Sequence, residues 1–270
     1  MNTPGCLWNV RPEPATGSNL SSPARSDKIL LMLPYSGGSA HSFAGWKSWL
    51  PGQFRIAAAS YPGHGARADE PFAAELDEIT CELFDELADF DGLLYIFGHS
   101  LGAFVGFELS WRLQFSGRPP AALFVSAAPA PHRHRPYPFS PRTMPDDELL
   151  SLLESFDCIP EGIADHPDLL SEALELCRAD MGLVYEYSFG DEPRRLSVPI
   201  VAIGGTEDPL VSTEELGHWT ELSTCEGDVR TFPGGHFYHL NCTADVAAFI
   251  STYIDEKTVR DSRQEAQNAH

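Results

Sequence analysis

The chain has 270 residues, 43% of them hydrophobic and 21% charged, a balance that fits a folded protein with one large core. Lys and Arg number 18 against 39 Asp and Glu, giving a formal charge of −21; this argues against nucleic acid or an anionic membrane as partner, because phosphate binding rests on cationic side chains displacing counterions. No apolar run reaches the roughly 18 residues that a bilayer crossing needs, and the N-terminal stretch has no signal-like apolar centre, so a cytoplasmic protein is expected.

Residues 1–27, rich in Pro, Ser, Gly and Asn, read as a flexible N-terminal arm, although "CLWNV" is apolar enough to pack on the body. From Lys28 a rhythm begins. "KILLMLP", "FRIAAASYPGHG", "GLLYIFG", "AALFVSAAP" and "VPIVAIGG" are short apolar runs that end in Pro or Gly, and "DVRTFPGG" is a weaker sixth. Runs apolar at odd and even positions alike predict strands covered on both faces, as in a mainly parallel sheet. Helical patterns fall between them, over about 42–50, 73–90, 101–116, 213–222 and 242–256, so the fold class is α/β.

One interval breaks the alternation. Residues 129–197 hold no convincing strand but carry "PDDELLSLLESF" and "PDLLSEALELCRADMGLVYEYSF", both amphipathic, with acidic first turns. They predict a helical insertion placed as a lid over the strand ends. The expected organisation is a core of 28–128 and 198–256, a lid of 129–197, and a disordered polar tail of 257–270.

The six cysteines, Cys6, Cys81, Cys158, Cys177, Cys225 and Cys242, are scattered, without a CxxC or a His cluster at ligand spacing, and read as thiols in a reducing compartment. No metal or cofactor is expected.

Gly98-His99-Ser100-Leu101-Gly102 fits G-x-S-x-G, with a strand before it and a helix after it. A serine on so sharp a turn stands clear of the sheet as a nucleophile, and both flanking positions must be small. Its hydroxyl needs a base, and the base needs an acid to hold it in the right tautomer. With the chain order Ser, acid, His, the base is His236 in "FPGGHFYH"; His239 is its rival in the same loop, and His99 is expected to point away from the nucleophile. The acid is Asp208, which follows the fifth strand in "GGTEDP", with Glu207 the neighbour most easily confused with it. Oxyanion donors are expected from the backbone N–H groups of Leu101 and of Ser36 in "LPYSGGSAHSF". The lid residues Leu149, Leu153, Phe156, Met181, Tyr185 and Phe189 are candidates for an acyl pocket.

Together "LPYSGGSAHSFAGW", "YPGHGAR", "GHSLGA", "IGGTEDPLV" and "FPGGHFYH" resemble the type II thioesterases, free-standing α/β-hydrolases that accompany polyketide and nonribosomal peptide synthases. The resemblance runs from about Lys28 to Ile254. It implies an α/β-hydrolase fold, the triad Ser100, Asp208 and His236, and the donors Ser36 and Leu101. It also implies hydrolysis of acyl thioesters on the phosphopantetheine arm of acyl or peptidyl carrier proteins, bound transiently by a monomer, with phosphopantetheine supplied by the substrate. Ser36 stands where many members have Ala, and His64 and Gly65 stand where members often carry charged residues. Carrier proteins are usually acidic, so docking on this acidic chain calls for a local basic patch; Arg133, Arg135, Arg142, Arg194 and Arg195 flank the lid. The competing readings are a carboxylesterase or lipase with the same triad, a non-catalytic hydrolase-fold binding protein, and a chain-releasing cyclase.

Overall fold

A computed structural model of the chain describes residues 7–9, 28–50, 54–156, 158–159 and 162–268. The six apolar runs form six parallel strands: β2 (Lys28–Leu33), β3 (Phe54–Ala59), β4 (Leu93–His99), β5 (Ala122–Ser126), β6 (Ile200–Gly205) and β7 (Asp228–Phe232). A short strand from the N-terminal arm, β1 (Leu7–Asn9), pairs antiparallel with β3, placing Leu7 opposite Ala59. Residues 10–27 of that arm, and Cys6, lie outside the described residues.

The order across the sheet is β1-β3-β2-β4-β5-β6-β7. The chain leaves β2 outward to β3 and then crosses to β4 on the other side of β2, so the winding reverses between the carboxyl ends of β2 and β4. An open parallel sheet leaves a crevice at such a point, walled by the loops that follow the two strands. Those loops carry Ser36 and Ser100.

Strand residues alternate between two apolar layers. Ile29, Leu31, Leu33 and Ile96 face α1 (Leu76–Glu86) and α2 (Leu101–Phe115), whereas Leu30, Met32, Tyr95 and Phe97 pack with Val246, Ile250 and Ile254 of the C-terminal helix. Between β5 and β6 the insertion carries two helices, α3 (Asp146–Ser155) and α4 (Pro167–Glu186), and no strand among its described residues. It has a small core of its own, formed by Met144, Leu149, Leu153, Leu174, Cys177 and Met181. Arg178 fastens this unit by donating to the carbonyls of Pro141 and Met144 and pairing with Asp146.

After β6 come α5 (Thr213–Gly217) and, beyond β7, α6 (Tyr238–Asn241) and α7 (Thr243–Asn268). The last helix continues well past residue 256, where the polarity of the sequence suggested a disordered tail. "EKTVRDSRQEAQN" contains neither Gly nor Pro and is rich in good helix formers, so nothing stops a helix already nucleated on the apolar face at Val246–Ile254. Lys28 reaches Thr258 (3.1 Å) and Asp255 (3.9 Å), tying α7 to the start of β2. Cys81, Cys158, Cys177, Cys225 and Cys242 are free thiols. Among the described residues no helix is long and apolar enough to cross a membrane, and no group of three or more His, Cys, Asp or Glu is placed to hold a metal.

Candidate active site

Ser100 sits between β4 and α2 with φ 53° and ψ −116°, a conformation that costs a non-glycine residue about 1–3 kcal/mol. The surrounding chain enforces it. A Cβ on Gly98 would occupy the backbone of Gly102, and one on Gly102 would occupy the carbonyl of Leu33, so strand and helix approach only because both residues lack side chains. The Ser100 N–H donates to the Ser126 carbonyl at the end of β5 (2.8 Å), which fixes the turn against the sheet.

The loops after β6 and β7 are stitched together by Thr206 N–H to Phe232 O (2.8 Å) and Glu207 N–H to Gly234 O (2.9 Å). That pairing brings Asp208 and His236 into contact: His236 Nδ1 donates to Asp208 Oδ2 at 3.0 Å, with Oδ1 at 3.2 Å. The Asp208 side chain is fully enclosed and that of His236 is 5% exposed. Asp208 Oδ1 also accepts from the N–H groups of Leu210 (2.9 Å) and Val211 (3.3 Å), which fix the orientation of the carboxylate. With Nδ1–H committed to the carboxylate, Nε2 is the acceptor nitrogen of His236. Glu207 is exposed, so the ambiguity between the two acids resolves to Asp208.

Ser100 and His236 line one small cavity of about 60 Å³ with Tyr35, Ser36, Leu153, Phe156 and Met181. The N–H groups of Ser36 and Leu101 have no acceptor among the described residues. Leu153, Phe156 and Met181 belong to the insertion, which is therefore seated over the site. A larger cleft of about 470 Å³, lined by Glu75, Asp77, Glu108 and Glu186, has no His or Cys in its lining.

The other histidines of this region are core residues. His239 is fully buried on α6, its ring 4.1 Å from that of His99; burial, with His236 nearby, drives it down to about 3. His99 is also fully buried; Nδ1 meets Ser126 Oγ at 2.8 Å, and burial, reinforced by His239 and His236, holds it well below the ordinary imidazole range. Both rings are neutral, His99 packing 5.3 Å from the His236 ring and His239 on His99 behind it, so His239 is no rival base.

Of the acyl-pocket candidates, Leu153, Phe156 and Met181 line the cavity. Leu149 lies in the core of the lid, and Tyr185 is half-buried away from the cavity lining. Phe189 belongs elsewhere: its ring packs 5.8 Å from Phe107 of α2 and lies under the Arg194 guanidinium at 4.4 Å, because the chain has already left the lid there and runs back along the body. Arg194 is correspondingly not a docking residue. It pairs with Glu108 (2.7 Å), donates to the Phe189 carbonyl and is 15% exposed. Arg195 donates to the Ser223 carbonyl (2.5 Å) and Arg142 pairs with Glu186 (2.8 Å). Arg133 meets Glu221 at 3.3 Å while staying 54% exposed, and Arg135 is exposed.

Sequence reasoning missed Tyr137 in the cavity wall, where burial, with Cys158 and Asp208 beside it, raises the phenol. It also missed Asp180. The available signal was an acid on the apolar stripe of α4, three residues after the buried Cys177.

The family model described as thioesterase domain matches residues 28–256. Among curated proteins, the gramicidin S biosynthesis protein GrsT of Aneurinibacillus migulanus is 30% identical over 82% of this chain and 86% of its own length. The AMB antimetabolite synthetase AmbE of Pseudomonas aeruginosa is 34% identical over 82% of this chain, which spans 10% of that protein's length. Among solved structures, the type II thioesterase BorB of the borrelidin biosynthetic cluster superimposes with a TM-score of 0.79 at 31% identity, covering 93% of this chain and 99% of BorB. ClbQ of the colibactin pathway superimposes at 0.81 and 27% identity, covering 87% of this chain and 99% of ClbQ.

Proposed function

The chain belongs to the thioesterase family, and on that premise we propose that it removes stalled or wrong acyl groups from a polyketide or nonribosomal peptide synthase, hydrolysing acyl thioesters on the phosphopantetheine arm of carrier proteins. The observation that carries this reading is one cavity shared by Ser100, on a strained elbow, and His236, already oriented by Asp208. The likeness to BorB and to proteins named for antibiotic biosynthesis supports the synthase context.

In the reaction, His236 Nε2 takes the Ser100 proton as Oγ attacks the thioester carbonyl. The Ser36 and Leu101 amides hold the tetrahedral oxyanion. Its collapse expels the pantetheine sulfur, which takes a proton from the His236 imidazolium. Water then enters, gives a proton to His236, and attacks the acyl-serine; the free acid leaves and Ser100 recovers its proton. Leu153, Phe156 and Met181 contact the acyl chain. Because α3 and α4 wall the cavity, they lift to admit the chain and reseat over it, and lid movement contributes to turnover. Arg133 and Arg135 are left as the exposed cations for a carrier's acidic face.

Assays with carrier-loaded acyl groups against matched oxygen esters test the proposal. Hydrolysis of the thioester should be preferred and Ser100→Ala should abolish it; equal or faster cleavage of the oxygen ester would favour a carboxylesterase.

A further inference from the structure

A carboxylate buried inside a lid helix is costly unless it is fully paired. Asp180 of α4 is 2% exposed, and one of its oxygens, Oδ2, accepts two hydrogen bonds. One comes from the N–H of Gly37 at 2.7 Å and the other from His64 Nε2 at 2.9 Å. His64 Nδ1 in turn lies 2.9 Å from the Pro62 carbonyl. Both ring nitrogens face acceptors, so both carry protons and the ring is an imidazolium. The same environment raises its affinity for a proton: burial works against the charge, but the bond to Asp180, its negative charge and the carbonyls of Pro62 and Tyr61 outweigh burial.

What the carboxylate grips is the turn Tyr35–Gly38, closed by Gly38 N–H to Tyr35 O at 2.8 Å, with Gly37 at φ 78° in the third position. The Gly37 N–H belongs to the middle peptide of that turn, immediately after Ser36. Cys177, one turn earlier on α4, closes the other side, since a Cβ on Gly37 would come within 2.8 Å of its sulfur. Tyr61 fixes the entry by donating to the Pro34 carbonyl at 3.1 Å.

We propose that Asp180 is a positioning residue for acyl transfer: by holding the Gly37 amide from the lid, it sets the Ser36 amide toward the oxyanion, and it does so only while α4 is seated. The proposal rests on the reading of the Ser36 N–H as an oxyanion donor. It couples lid closure to catalysis, because lifting α4 removes the acceptor that orders the turn and so leaves Ser100 less able to attack until the acyl chain is enclosed.

Asp180→Ala should lower kcat on an acyl-N-acetylcysteamine thioester by about 10- to 100-fold with KM within about two-fold, the scale for a misplaced oxyanion donor. Inhibition by a trifluoromethyl ketone bearing the same acyl group, which forms a tetrahedral adduct, should weaken by the same factor. Asp180→Asn, whose amide oxygen still accepts from Gly37, should recover most of kcat. Should Asp180→Ala fail to fold, His64→Leu/Asp180→Leu, which strands no buried charge, carries the same expectation. An unchanged kcat, or a rise in KM without a fall in kcat, overturns the proposal. A crystal structure of the wild-type ketone adduct checks the premise separately. An oxyanion turned away from Ser36 would remove that premise, whereas an oxyanion on Ser36 alongside unchanged Asp180→Ala kinetics would reject the positioning role alone.

Discussion

At Ser100, the proposed nucleophile, the positive φ persists only because Gly98 and Gly102 let strand and helix close around it. His236 depends on Asp208 in a different way, through a bond that decides which ring nitrogen is left to accept a proton in the proposed mechanism. Asp208→Asn, which cannot accept from Nδ1–H in the same way at every rotamer, should lower kcat by about 10⁴-fold and leave a residue of activity from the oxyanion amides, measured with a small thioester. His64 makes a prediction about stability. Its folded pKa lies above the unfolded 6.5, so the stabilisation is fully present below pH 6.5 and is lost as pH rises through the folded value, at about 1.4 kcal/mol per unit of elevation. Asp180 is the charged group facing it, and Cys177, pushed by burial and then by Asp180 up to about 12, stays a thiol throughout this range. Thermal unfolding of wild type and His64→Gln from pH 6 to 9 should show the largest gap at pH 6. A gap that widens with pH would contradict the assignment.

Among the elements, α2 shows how tightly packing and catalysis are joined. It is buried nearly all round and meets β2 at Gly102, where a Cβ would strike the Leu33 carbonyl rather than a movable side chain. Gly102→Ala should therefore destabilise the fold by about 3 kcal/mol, read by urea denaturation, and lower activity with it. Five of the six parallel strands were legible in the sequence because burial on both faces writes itself as unbroken apolar runs, β7 read more weakly because Asp228 and Arg230 are exposed, and the elbow was legible because its glycines are compulsory. The extent of α7 was not, since polarity was taken as a sign of fraying when the absence of any helix breaker mattered more. Nor were the places of Phe189 and Arg194: both lie in a segment read as lid, and only the course of the chain back along α2 shows that they pack on Phe107. Asp180 was hidden because a single acid within an amphipathic helix has no spacing to betray a partner at position 37.

For the whole molecule, topology explains why so few residues suffice. The winding reverses between β2 and β4, so the loops carrying Ser36 and Ser100 meet at one crevice, and the loops after β6 and β7 deliver Asp208 and His236 to its edge. The insertion roofs that crevice. Under the proposed function, the formal charge of −21 would oppose an acidic carrier at long range, so encounter would depend on the exposed Arg133 and Arg135. Arg133→Glu/Arg135→Glu should raise KM for acyl-carrier substrates several-fold and leave that for small thioesters unchanged, and an equal rise for both would reject a docking role.

The most direct measurement is intact-protein mass spectrometry after rapid mixing with an acyl-carrier thioester and acid quench, followed by peptide mapping. One acyl group on Ser100, absent from Ser100→Ala and long-lived when His236 is replaced after loading is forced with an activated ester, is the result this account predicts. Turnover by Ser100→Ala at a near-native rate, or the acyl group on any other residue, would contradict it.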